Sequence, residues 1–155
     1  MGWSNSNWAQ DTNDRRFTSG FVFDVAGNSI TWSSKKQATV AASSVEAEYV
    51  ASMNTTKEAV WLRTLLTELD FSPTQATVIH ADNLGCIALA NNPVSHSRAK
   101  YIDIRHHFIY EKIEHCKIKL DYVPTKNILA NVFTKALPRK AFKKFRAQLD
   151  VLPPQ

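Results

Sequence analysis

Two runs of β-favouring residues, Phe21-Val22-Phe23-Asp24-Val25 and Ser29-Ile30-Thr31-Trp32, flank Ala26-Gly27-Asn28. The pattern predicts two strands joined by a tight turn, with Gly27 and Asn28 supplying the φ > 0 positions. The apolar period then changes. Val45, Tyr49, Met53, Val60 and Leu66 recur at helical spacings and trace one stripe of a long helix reaching about Leu69. Ser43 with Glu46 forms a capping box at its start. Ala76 to Ala81 is a short apolar strand, and Asn83 to Asn91 a short helix stopped before Pro93. Tyr101 to His115 is a further helix, with Ile102, Ile109 and Ile113 on one side, and Ile118 to Val123 alternates as a strand that ends at Pro124. Asn127 to Leu137 and Pro138 to Leu149 predict two final helices, the second with Pro in its first turn. With a short strand at the start, the order predicts an α/β domain: a mixed five-stranded sheet with flanking helices, since a hairpin precedes strand–helix–strand crossovers.

The chain has 155 residues, 44% of them hydrophobic and 21% charged, which suits one soluble domain over residues 1–150 and a short tail over 151–155. No apolar run approaches the ~18–20 residues of a membrane span. The N-terminus lacks the basic-then-apolar order of a signal peptide, so an intracellular, reducing compartment and no membrane partner are expected, with the isolated domain a monomer. Cys86 and Cys116 fit no metal-ligand spacing. Charge changes the picture more. Residues 1–97 hold 6 Lys/Arg against 9 Asp/Glu, whereas residues 98–155 hold 13 against 5. An acidic half joined to a basic half suits a cation-binding site beside a phosphate-binding surface.

Two acids stand where such a site could form. Glu48 lies one turn into the long helix, and Asp82 ends the fourth strand. Each also has a plainer reading: a helix-dipole acid for Glu48, a helix N-cap for Asp82. Glu46 suits the dipole role better, because it occupies the capping-box position. Hydrolysis of a phosphodiester by two Mg²⁺ ions needs several carboxylates on one spot, the ions sitting ~4 Å apart. His106 and His107 are adjacent on a helix and cannot both face one way, which argues against a histidine metal site.

The segments Arg15-Arg16-Phe17-Thr18-Ser19-Gly20-Phe21, Thr31-Trp32-Ser33-Ser34-Lys35-Lys36-Gln37 and Ser43-Ser44-Val45-Glu46-Ala47-Glu48-Tyr49 closely resemble the ribonuclease H domain of copia-type LTR retrotransposon Pol polyproteins. So do Lys57-Glu58-Ala59-Val60-Trp61-Leu62-Arg63, Ala81-Asp82-Asn83, Asn92-Pro93-Val94-Ser95-His96-Ser97-Arg98 and the run from Lys100 to Ile109. Tyr122-Val123-Pro124-Thr125 and Phe133-Thr134-Lys135-Ala136-Leu137 continue the match, which spans roughly residues 2–150 in order. The resemblance implies a ribonuclease H-like fold and Mg²⁺- or Mn²⁺-dependent cleavage of the RNA strand of an RNA–DNA hybrid.

Carried over by position, the family's helix glutamate falls on Glu48 and its fourth-strand aspartate on Asp82. The family's first-strand motif, Ser-Asp-Ala-Asp-Trp-Ala, reads Ser4-Asn5-Ser6-Asn7-Trp8-Ala9 here, and its Leu-Ala-Asp reads Leu129-Ala130-Asn131. The resemblance thus assigns catalytic and metal-ligand positions to Glu48, Asp82, Asn5 and Asn131, two of them amides. Asp to Asn at positions 5, 7 and 131 is a single G-to-A change each, as is Gly to Asp at Asp70. Phe17 for the family's Ser is the complementary C-to-T change. The amides fit deliberate substitution, which seldom touches a third position such as Asn7, or a naturally decayed or co-opted element, which the single-base pattern favours; little or no nuclease activity is expected. Nucleic-acid contacts are expected from Lys135, Arg139, Lys140, Lys143, Lys144 and Arg146, with Phe142 and Phe145 facing inward, and from His96 and Arg98. Trp8, Trp32 and Trp61 read as core residues.

Overall fold

The structure is a computed structural model that describes residues 1–8, 16–92 and 100–151, with the backbone alone for 100–106. Its five-stranded sheet comprises β1 (Gly2–Asn7), β2 (Thr18–Val25), β3 (Asn28–Lys36), β4 (Thr77–Ala81) and β5 (Ile118–Tyr122) in the order β3-β2-β1-β4-β5. The β1–β2 and β2–β3 pairs are antiparallel, and β1–β4 and β4–β5 are parallel. The helices are α1 (Ser44–Glu68), α2 (Leu84–Asn91), α3 (Lys100–Glu114) and α4 (Arg139–Gln148). This is the mixed α/β architecture that the sequence predicts.

Strand alternation divides the core into two layers. Phe23 and Ile79 pack with Tyr49, Met53 and Leu62 of α1, Cys86 of α2 and Ile109 of α3. On the opposite face Val22 packs with Leu129 and Phe145, and Trp3, Phe133, Leu137 and Leu149 close around them. Helix α1 is buried more widely than one stripe, since Ala47, Val50, Ala51 and Ala59 join Tyr49 and Met53, whereas Val45, Val60 and Leu66 are only half-buried. Small residues on several faces let a central helix lie between the sheet and its neighbours.

Four expectations are corrected. The helix expected over Asn127–Leu137 is two 3₁₀ turns, Thr125–Asn127 and Leu129–Phe133. Ile128, Leu129, Ala130 and Asn131 are all buried, and four consecutive inward positions do not fit one face of a surface α-helix. The hairpin places φ > 0 at Ala26 and Gly27, not at Gly27 and Asn28, because Asn28 already pairs with Val25. Phe142 is exposed while Phe145 is buried. The covered stripe runs Ala141, Phe145, Leu149, and Phe142 lies at its edge, about 60° round the helix from Phe145. Trp8, Trp32 and Trp61 are exposed: Trp8 lies past the end of β1, Trp32 on the edge strand β3, and Trp61 on the solvent side of α1. The tail beyond residue 151 lies outside the described residues.

Candidate functional site

Successive residues of β1 point to opposite faces, and Asn5 and Ser6 use this to reach two different layers. Asn5 is buried, and its Nδ2 donates to Asn131 Oδ1 at 2.9 Å and to Thr134 Oγ1 at 2.6 Å. Asn131 Nδ2 donates in turn to the Thr125 carbonyl at 2.5 Å. Asn7, on the same face, donates from Nδ2 to the Thr134 carbonyl at 2.8 Å. Gly20, opposite Asn5 in β2, makes this docking possible. A Cβ there would stand 2.8 Å from Phe133 Cβ and 2.9 Å from Thr134 Cγ2, closer than carbon atoms pack.

Glu48 approaches from the other layer. Its Oε1 accepts from the Ser6 backbone N–H at 2.9 Å and from Ser6 Oγ at 2.8 Å. Oε2 is buried with no hydrogen-bond partner among the described residues. Burial raises the Glu48 pKa to about 7, and the charge of Asp82 pushes the same way, against the Ser6 hydrogen bonds and the Lys135 ammonium. Asp82 directly follows β4 and is half-buried. It is not the cap of α2: Asn83 fills that role, its Oδ1 accepting from the Cys86 N–H at 2.9 Å. Likewise Glu46, not Glu48, serves the start of α1, where its N–H bonds to Ser43 Oγ and its Oε2 accepts from the Ala42 N–H. The structure therefore leaves Glu48 and Asp82 free of the plainer roles. The Asn5–Ser6 peptide links the amide pair on one side to the carboxylate pair on the other.

A divalent ion such as Mg²⁺ wants near-octahedral hard oxygen ligands, and an amide NH₂ cannot supply one. Here Asn131 Oδ1 is occupied by Asn5 Nδ2, and the negative charge at the site comes from Glu48 and Asp82. Among the described residues, no three His, Cys, Asp or Glu side chains are grouped to hold a metal. This donor set does not fit a pair of divalent cations.

The basic residues divide. Arg139, Lys140 and Lys143 are exposed on α4. Lys144 is also exposed, but its Nζ reaches Asn127 Oδ1 at 3.0 Å and the Lys126 carbonyl at 3.3 Å, so it ties α4 to the 3₁₀ turns. Arg146 is half-buried, with Nε lacking a partner among the described residues. Lys135 is half-buried near Glu48. His96 and Arg98 lie outside the described residues. Sequence reasoning missed Ser6, Thr134 and Gly20, although each sits inside a segment that carries the resemblance. Their place inside those segments, with Ser6 beside Asn5 and Thr134 three residues past Asn131, was the available signal.

No protein-family model matches the chain. It is 41% identical over 96% of its length to the retrovirus-related Pol polyprotein from transposon RE1 of Arabidopsis thaliana, of which it covers 10%. To the corresponding polyprotein from transposon TNT 1-94 of Nicotiana tabacum it is 35% identical over 92% of its length, covering 11%. The chain thus spans about a tenth of the polyproteins it matches. In fold it is similar to LC11-RNase H1, isolated from compost by a metagenomic approach, with a TM-score of 0.61, 17% identity and coverage of 92% of this chain and 94% of that one. That ribonuclease has also been solved in complex with RNA/DNA hybrid. Among the described residues no helix is long and apolar enough to cross a membrane. The chain is thus similar, over nearly all of its length, to about a tenth of the Pol polyproteins of these retrotransposons, and it has a ribonuclease H-like fold.

Proposed function

We propose that this domain binds RNA–DNA hybrid but has lost most or all of the metal-dependent hydrolysis of the RNA strand. The observation that carries the reading is the 2.9 Å hydrogen bond between the Asn5 and Asn131 amides, at two of the four positions where the family resemblance expects acids. With acids at positions 5 and 131 as well as Glu48 and Asp82, the site would hold Mg²⁺ or Mn²⁺, which would supply charge stabilisation for the hydrolysis. Replacing two acids by amides halves the charge that would hold it. Losing several kcal/mol of such stabilisation costs on the order of 10³-fold or more in rate. The family fold supports the binding half of the reading, since LC11-RNase H1 takes a hybrid on the same framework.

The exposed Arg139, Lys140 and Lys143 favour a second reading, a nucleic-acid-binding module in which catalysis has no part. One experiment addresses both: a gel shift on a short RNA–DNA hybrid beside a cleavage assay on the same hybrid, with Mg²⁺ and with Mn²⁺. A shift without cleavage is expected. Efficient cleavage would overturn the loss of catalysis, and absence of both would make the domain a relic.

A further inference from the structure

Trp8 stands at the rim of this site. It follows β1 directly, next to Asn7, whose amide holds the Thr134 carbonyl, and two residues past Ser6, which holds Glu48. Its side chain is 45% exposed, which forgoes one of the largest apolar burials a residue can make. The ring is nevertheless fixed. Its Nε1–H donates to the Ala41 carbonyl at 3.1 Å, and Ala41 is buried with Phe17, Ala47 and Val50 in the layer that seats the first turns of α1. One edge of the indole is tethered and much of the rest meets solvent. The other exposed tryptophans are elsewhere: Trp32 is two strands out from β1, and Trp61 lies 13 residues beyond Glu48 on α1, about 20 Å along the axis.

We propose that Trp8 is a nucleic-acid contact residue, its tethered indole packing on the sugars of the hybrid strand that lies beside Asn7 and Ser6. This rests on the reading of the domain as a nucleic-acid binder. A flat apolar surface suits that task because the wide, shallow minor groove of a hybrid displays its sugars, and contacts to them depend little on sequence. The contact needs no metal. The amides at Asn5, Asn7 and Asn131 fit it, because metal-free acids at those positions would repel the phosphates of the same strand.

The test is binding of a fluorescein-labelled RNA–DNA hybrid in EDTA at several salt concentrations, for the wild-type chain, Trp8→Ala and Trp8→Phe. Trp8→Ala is expected to weaken binding on the order of 10-fold, the loss of a modest apolar contact, by the same factor at every salt, since no phosphate contact is lost. Trp8→Phe loses the Ala41 bond but keeps an aromatic face, so it should hold most of the affinity. Its tryptophan fluorescence should be quenched less by the hybrid than that of the wild type. Wild-type affinity in Trp8→Ala overturns the proposal. So does an equal loss in both variants with a matching fall in melting temperature, the mark of a structural clip. Failure of the wild-type chain to bind any hybrid overturns this proposal and the proposed function together.

Discussion

Glu48 carries a buried carboxyl whose proton is held by its surroundings. Its carboxyl titrates near 7 in the folded chain, against an ordinary value of 4.5, because it is buried beside Asp82. The folded state therefore holds the proton more tightly than the unfolded one. The associated stabilisation is complete below the unfolded pKa and is lost as pH rises through the folded one, a window from about 4.5 to 7. We expect the wild-type chain to lose on the order of 1–3 kcal/mol across that window. Glu48→Gln should flatten the profile and melt higher at mildly alkaline pH, and an undiminished slope in the variant would assign the pH dependence to another group. The choice of Glu48 over Glu46 was legible in the sequence, because the capping box accounts for Glu46. The partnership of Asn5 with Asn131 was legible only through family motifs, as 126 positions separate them. Ser6, Thr134 and Gly20 escaped notice because small residues leave no mark in a hydrophobic period.

The ends of helices were harder to read than their bodies. Helices α1, α3 and α4 all close with the same paired bonds, in which a residue at positive φ follows the cap, and in none is that residue Gly. After α1 the position is Asp70, at φ 64, with Asp70 N–H to the Thr67 carbonyl and Phe71 N–H to the Leu66 carbonyl. The left-handed conformation strains an L side chain and suits Gly. Asp70→Gly should therefore stabilise the chain by about 0.5–1 kcal/mol, a rise of roughly 2 °C in Tm for a domain of this size. Calorimetry that shows a lower Tm would mean that the Asp70 side chain has a compensating role. The segment after β5 resisted sequence reading for another reason. Its run of buried residues mimics a helix stripe, yet it is wedged against the sheet as 3₁₀ turns so that Asn131 and Thr134 reach Asn5. Tertiary docking, not local propensity, decides its form.

For the whole molecule, charge asymmetry along the chain was legible from the outset, but the roles of individual cations were not. Lys144 and Arg146 looked like phosphate contacts, and the fold holds the first against Asn127 and half-buries the second. That leaves Lys140 and Lys143, with Arg139, facing solvent on α4. Lys140→Ala and Lys143→Ala should each weaken hybrid binding and lower the slope of log affinity against log salt by about 1. Unchanged slopes would put the phosphate surface elsewhere. The proposed function sets a ribonuclease H-like fold around a site with amides at two of the four positions where the resemblance expects acids. Its most direct test is cleavage of an RNA–DNA hybrid in Mg²⁺ by the chain as it stands, by Asn5→Asp and Asn131→Asp singly, and by the double variant. Cleavage is expected from the double variant, far less from either single change because the two acids would serve the same ions, and little or none from the present chain. Cleavage by the present chain at a rate comparable to the double variant would contradict it.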